Sequence, residues 1–240
     1  MDSSSKIYSY IASQCRVDRK EKPVRGFVTI SRQAGAGGIT IGEKLAAYLD
    51  KQLPGMVHWT VFDKNLVDVV VNEHKLSERI LPYMKEAKIS EIDDMIENLF
   101  GIHPPQSTLV KRTTETILRL ARMGRVILVG RGAPIITRDI KGGIHVRLVG
   151  SFGKRKEHIK EYYKLDNKAA EIFIKNEDLG RAQYLKTYFD QNIDDPLLYD
   201  LIVNTDKVSY EDAAILIGDT VIKRIKSQET ILQKIEAMTY

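Results

Sequence analysis

Four short groups of residues in this chain carry chemistry that ordinary packing does not call for. The first is Gln33-Ala34-Gly35-Ala36-Gly37-Gly38, a glycine-dense turn between an apolar run (Phe27, Val28, Ile30) and a stretch where Ile41, Leu45 and Leu49 recur at helical spacing. A strand, a glycine turn and a helix in that order can gather backbone N–H groups on an anion, with the helix N-terminus adding partial positive charge. The second is Gly130-Arg131-Gly132, an arginine between glycines directly after the apolar run Val126-Ile127-Leu128-Val129. A guanidinium there suits bidentate binding of phosphate, or a structural salt bridge. The third is Asp178 and Arg181, three apart and so on one helix face. The fourth is Asp63, which follows Val57–Phe62 where open α/β sheets bind ligands and where it could equally cap the next helix.

The glycine turn departs from the usual phosphate-binding pattern, G-x-x-x-x-G-K followed by Ser or Thr. With Gly37 as the second fixed glycine, Arg32 stands at the first, Gly38 at the lysine and Ile39 at the hydroxyl residue, with Thr40 one step further. On this segment alone, a plain glycine-rich strand-to-helix turn is an equal reading.

The elements that must position these groups alternate along the chain. Strands are predicted at Phe27–Ile30, Val57–Phe62, Val126–Val129, Ile144–Val149 and Leu201–Val203. Between them come a helix from near Thr40 to about Leu53-Pro54-Gly55 and a mainly helical region over 65–123. That region holds a loop at Gly101–Pro105 and a last helix from about Ser107 to Met123; His103 in the loop reads as a surface residue. A highly charged helical region covers about 151–192, with Lys154, Arg155, Lys156, Lys164, Lys168, Lys175 and Lys186, most of them expected on a solvated face. Ser209-x-x-Asp212 opens a final amphipathic helix. The alternation predicts an α/β fold with a parallel sheet between helices. Residues 1–25 read as an arm with a short helix near Ile7–Cys15, and 226–240 as a helical tail.

Composition narrows the field. The 240 residues are 43% hydrophobic and carry a net charge of +5, enough apolar content for one large domain and mildly basic. This balance suits a phosphate-rich small molecule. Nucleic acid is disfavoured because no long basic run with interleaved aromatics occurs. A single cysteine, Cys15, rules out an internal disulfide framework. No apolar run approaches a membrane span and the N-terminus lacks an apolar signal core, so a cytoplasmic protein is expected. A homo-oligomer is compatible with everything above.

Taken together, ISRQAGAGG, VFDKNLV, VILVGRGA, HVRLV, EDLGRAQYLKTYF and YDLIVNT resemble the cytidylate kinase-like family of P-loop phosphotransferases, over roughly Phe27 to Ile225. The resemblance implies a P-loop NTPase-like three-layer fold with a five-stranded parallel sheet in residues 26–225. It implies a helical acceptor-binding region near 65–123, a mobile lid near 151–192, and ATP with Mg2+ as cofactors. Arg32, Gln33, Gly35, Ala36, Gly37, Gly38, Ile39 and Thr40 would meet the donor phosphates, Thr40 also the magnesium shell. Arg131 would hold the acceptor phosphate, Asp178 the acceptor nucleoside and Arg181 the migrating phosphoryl, with Asp63 near the acceptor. Asn204 and Thr205 match the turn beside the donor base.

Three positions depart from the well-known cytidylate kinases. Gly38 replaces the loop lysine, Val129 an acidic residue at the strand end, and Gly132 an aspartate after Arg131. A cationic lid could offset the missing lysine, and its candidates are Arg181, then Arg155, Lys175 and Arg32. The first expectation is a kinase moving the γ-phosphate of ATP to a pyrimidine monophosphate such as CMP or dCMP. The second is a nucleotide-binding module without catalysis. The third is the same chemistry on a non-nucleotide acceptor, with Leu76–Leu99 reshaping the pocket.

Overall fold

The computed structural model describes residues 9–10, 13, 26–55, 57–63, 94–96, 99–100 and 108–238. Five strands, β1 (Phe27–Arg32), β2 (Thr60–Phe62), β3 (Val126–Val129), β4 (Gly143–Val149) and β5 (Leu201–Asn204), form one parallel sheet in the order β2-β3-β1-β4-β5. The helices are α1 (Gly38–Gln52), α2 (Thr108–Met123), the short α3 (Ala133–Ile136), α4 (Phe152–Tyr163), α5 (Asn167–Phe189) and α6 (Tyr210–Met238).

The strand sequences alternate between two covered faces. Phe27, Val126 and Leu128 pack with Phe62, Ile117 and Leu120 of the α2 side, while Val28, Ile30, Ile127 and Val129 pack with Ile41, Leu45 and Leu49 of α1 and Ala214, Ile217 and Val221 of α6. Both faces are therefore buried, as a parallel sheet requires, and the strands read as nearly unbroken apolar runs. Tyr10 joins the α2 face. It is 3% exposed, donates its hydroxyl proton to the Gly124 carbonyl at 2.6 Å, and meets Phe62 edge-on.

The order of strands decides where a ligand can lie. From β1 the chain moves outward to β2 and β3, then crosses β1 to reach β4 and β5. The carboxyl ends of β1 and β3 thus flank the point where the winding reverses, the usual ligand crevice of an open α/β sheet. The glycine turn follows β1 and Gly130-Arg131-Gly132 follows β3.

Local differences from the sequence reading have local causes. Helix α1 starts at Gly38 rather than near Thr40, because Gly37 at its N-cap adopts φ 77° and feeds the chain straight into helix. Strand β2 spans Thr60–Phe62 and not Val57–Phe62. Ahead of it, the Trp59 amide donates to Asp50 and the Val57 carbonyl accepts from Arg125, so these groups are satisfied without a neighbouring strand. The charged region is two helices, capped at Ser151 and Asp166, with Lys164 closing the first in a left-handed turn (φ 56°). Ser209 accepts the Asp212 amide at 3.1 Å, as a capping box predicts, and α6 then runs unbroken to Met238.

The expected helical segments over 65–93, the loop with His103 and most of the N-terminal arm lie outside the described residues. Among the described residues no helix is long and apolar enough to cross a membrane.

Candidate active site

The glycine turn is built to present amides. Gly35 (φ 82°) and Gly37 (φ 77°) are left-handed, a conformation that costs other residues energy. Neither could carry a side chain in any case: a Cβ on Gly35 would stand 2.4 Å from the Arg155 carbonyl oxygen, and one on Gly37 2.5 Å from the Tyr210 ring. Two of the turn's carbonyls face α4, where Arg155 donates to Ala34 O at 3.0 Å and His158 Nδ1 meets Gly35 O at 2.8 Å, while those of Gln33 and Gly37 accept the Ala36 and Ile41 amides. Among the described residues, the amides of Gly35, Gly37, Gly38 and Ile39 have no protein acceptor.

Comparison with the other helices makes the point sharper. Helix α4 has Ser151 accepting the Lys154 amide, and α5 has Asp166 accepting the Ala169 amide. The N-cap of α1 is a glycine with no side-chain acceptor and no acidic residue in its first turn. The first-turn donors of that helix are left for an anion.

One carboxylate joins α4 and α5 to the turn. Asp178 accepts from the Ala34 amide at 2.7 Å, from Arg155 Nη1 at 2.7 Å and from Arg181 Nη1 at 3.1 Å. Arg155 also donates to Gly150 O at 2.9 Å and is buried, so its charge is taken up by contacts between α4, α5 and the turn. Gln33 behaves likewise, its Oε1 accepting the Gly150 amide at 3.0 Å.

Beside the turn, a cleft of about 250 Å³ opens between the ends of β1 and β3 and helix α5. Arg131 and Arg181 both line it, together with Arg32, Glu177, Tyr184 and Tyr199. Arg181 is oriented by two carboxylates of its own helix, Glu177 at 2.6 Å and Asp178. Arg131 takes a left-handed conformation (φ 54°) between two glycines at φ 91° and 72°. A tight turn of this kind throws the side chain off the sheet end into the cleft, which the flanking glycines permit.

The floor of the cleft is held by Arg147, a charge inside an apolar strand. It is 4% exposed and donates to Ser31 Oγ at 2.9 Å and to Asp194 at 2.6 Å, with the Tyr199 ring 5.8 Å away. The Tyr199 hydroxyl donates to Ile193 O at 2.7 Å, and burial raises its pKa above the usual phenol value.

A second, larger cavity of about 480 Å³ lies on the opposite side of the turn, where Gly35 faces His158, Thr205 and Tyr210. The Tyr210 hydroxyl sits 3.2 Å from His158 Nδ1, and burial raises that phenol's pKa as well.

The positions expected from sequence thus divide. Arg32, Arg131 and Arg181 meet in one cleft. Asp178 does not line it, its carboxylate being turned to the glycine turn and Arg155, and Glu177 stands there instead. Arg155 joins α4 to the glycine turn and to α5. Lys175 stays on the solvent face, paired with Glu171 at 2.7 Å. Asp63 ends β2, near enough to Arg32 for its charge to favour the protonated guanidinium. Ile39 is exposed beside the partly exposed Thr40. Asn204 accepts the Asp206 amide and Thr205 donates to Val149 O, so both shape the turn after β5. Sequence reasoning missed Glu177 and Tyr184, although Glu177, Arg181 and Tyr184 follow i, i+4, i+7 spacing and could have been read as one stripe. It also missed His158 and Tyr210, which no spacing connects.

A parallel five-stranded sheet with a glycine turn leaving its central strand is the architecture of the P-loop kinases. Within that class, the chain belongs to the cytidylate kinase-like family, whose model matches residues 27–207. Family and fold support a nucleotide-binding phosphotransferase. Among solved structures, an uncharacterized protein from Eubacterium ventriosum is similar at 21% identity, with 85% of this chain and 99% of that one covered and a TM-score of 0.62. The Mycobacterium tuberculosis APS kinase, solved with AMPPNP and APS, gives 14% identity, coverage of 83% and 98%, and a TM-score of 0.44. The curated uronate isomerase of Corynebacterium glutamicum is 25% identical over 118 residues, 49% of this chain; the chain spans 23% of that protein's length.

Proposed function

We propose that this protein is a nucleotide kinase that transfers the γ-phosphoryl group of ATP to a pyrimidine nucleoside monophosphate such as CMP or dCMP. One observation supports the reading: the turn with the uncapped amides of Gly35, Gly37 and Gly38 begins right after Ser31 and Arg32, which line a cleft together with Arg131 and Arg181. Donor polyphosphate on the amides and acceptor phosphate at Arg131 would bring the two reacting groups face to face.

In the transfer, an acceptor phosphate oxygen forms a bond to the γ-phosphorus as the bond from that phosphorus to the β–γ bridging oxygen breaks. ADP leaves with the electron pair. Such a reaction needs positioning and charge neutralisation more than covalent help. Arg181, held by Glu177 and Asp178, would neutralise the migrating group, and Arg131 the acceptor phosphate. Tyr184 and Tyr199 offer flat apolar walls to an acceptor base, and the cavity by His158 and Tyr210 suits the donor nucleoside.

The turn's free amides fit a triphosphate. Mg2+ is implied with it, and would supply charge on the phosphate oxygens. Among the described residues no group of three or more acidic or histidine side chains could hold a metal ion, so phosphate and water would be its main ligands, with the Thr40 hydroxyl of the first helical turn a further candidate.

A coupled assay of ADP release across the common nucleoside monophosphates tests this reading. Release that depends on CMP or dCMP and on Mg2+ is expected, and absence of turnover with every acceptor on folded protein rules it out. The second reading, a binding module without catalysis, draws support from the Asp178 latch on the Ala34 amide and from glycine at position 38. Tight nucleotide binding without transfer would establish it. Turnover only with a non-nucleotide acceptor would establish the third.

A further inference from the structure

Position 38 is glycine where a phosphate-binding loop ordinarily carries its lysine, and position 32 is arginine where that loop carries its first glycine. The two departures occupy the same space. A Cβ built on Gly38 would lie 3.0 Å from Cγ and 3.2 Å from Cδ of Arg32, so the arginine stem crosses the spot from which a lysine at 38 would project. Further along, its Nη1 would stand 2.3 Å from a Cβ on Gly130. In its present position this one side chain crowds both 38 and 130, and it joins the glycine turn after β1 to the arginine turn after β3.

The guanidinium has no settled structural employment. Among the described residues it donates no hydrogen bond and pairs with no carboxylate within ion-pair distance, in contrast to Arg147, Arg155 and Arg181. It lines the cleft shared with Arg131 and Arg181. Burial and the neighbouring Arg181 lower its pKa to about 10, while Glu177 and Asp63 hold it up. It is therefore charged at neutral pH. A partly buried cation without an acceptor is costly unless something anionic completes it.

We propose that Arg32 replaces the loop lysine, its guanidinium gripping the terminal phosphate of the donor nucleotide from within the turn. The inference rests on the kinase reading for the donor site. It accounts for glycine at 38 as the residue that makes room for the arginine stem, while glycine at 130 is already required by its left-handed backbone (φ 91°). A planar fork binds two phosphate oxygens at once, where a lysine offers a point charge.

Isothermal titration of the full chain with MgATP and MgADP tests it, using Arg32→Ala, Arg32→Lys and the double variant Arg32→Ala/Gly38→Lys. Circular dichroism melts confirm that each is folded. Arg32→Ala is expected to weaken MgATP binding by about 10- to 100-fold, the range for losing a charged hydrogen-bonded contact, and MgADP by less than about 3-fold. The double variant, with the stem gone and a lysine restored, is expected to regain most of the MgATP affinity. Arg32→Lys loses the fork but keeps charge, so an intermediate loss of about 3- to 10-fold is expected, and this variant carries the test if the alanine variant does not fold. Equal losses for the two nucleotides, or no loss on a wild-type chain that binds both, overturn the assignment while leaving the kinase reading intact. A wild-type chain that binds neither nucleotide overturns both.

Discussion

The Asp178 carboxylate accepts the Ala34 amide at 2.7 Å, tying α5 to the glycine turn across 144 residues of sequence. The same carboxylate takes Arg155 and Arg181, so α4, the turn and the cleft arginine share one acidic group. A phosphate bound at the turn would compete for the same kind of donor that Asp178 now holds.

Removing that carboxylate should therefore be expensive. Asp178→Ala leaves buried Arg155 without its counter-ion and should cost roughly 2–4 kcal/mol, toward the low side of buried-pair losses because Asp178 keeps part of its exposure. Asp178→Asn retains an acceptor oxygen for Ala34 and should cost less. Urea denaturation of both variants measures the difference, and equal stability to wild type would contradict the latch.

The turn's glycines should resist even a methyl group. Gly37→Ala forces a left-handed alanine into the Tyr210 ring, so nucleotide affinity should fall by tenfold or more, on the order expected when a turn must move off a phosphate. Ile41 and Leu45 still anchor α1, so the protein should remain folded. Fluorescence titration with a labelled nucleotide reads the first outcome and a thermal melt the second.

Gly180 presents the opposite case. It lies inside α5 and lines the cleft, and a Cβ there would meet nothing within 4 Å. Gly180→Ala should raise stability by up to about 1 kcal/mol through helix propensity. The methyl group would narrow the cleft, so the acceptor KM should rise while the melting temperature increases. A fall in both would show that the cleft is not where the acceptor sits.

The two cleft arginines should separate kinetically. Arg181→Met should lower kcat by on the order of 10³-fold, as losing an arginine on a transferring phosphoryl group does, with modest change in KM. Arg131→Met should raise the acceptor KM in the main and leave that for ATP alone. Steady-state kinetics with both substrates varied tells these patterns apart.

His145 sets an acid limit on the sheet. Its Nδ1 lies 2.8 Å from Thr29 Oγ1, its ring abuts Phe27, and burial lowers its pKa below the ordinary histidine value of 6.5. The unfolded chain then binds a proton that the folded one resists. Stability from this group is full above about pH 6.5 and is lost as pH falls toward the depressed folded value. His145→Asn should flatten that part of the stability profile between pH 8 and pH 5, followed by thermal melts.

Much of the architecture was already written in the order of residue types. Apolar runs such as Val126–Val129 between turn residues read as strands covered on both faces, and the i, i+4, i+8 spacing of Ile41, Leu45 and Leu49 reads as one buried side of a helix; these are properties of neighbours in sequence, governed by backbone period. The glycine turn and the Gly130-Arg131-Gly132 corner announced themselves for the same reason, since left-handed backbone demands particular residues locally. What the chain order could not express was which distant groups come within bonding distance. That Arg32 fills the space above Gly38 and reaches Gly130, that Asp178 spends its carboxylate on Ala34 instead of facing the cleft, and that Lys175 remains in water all follow from how α5 and the parallel strands pack. Helical periodicity names a face, but only the packing of the sheet and lid decides what that face meets.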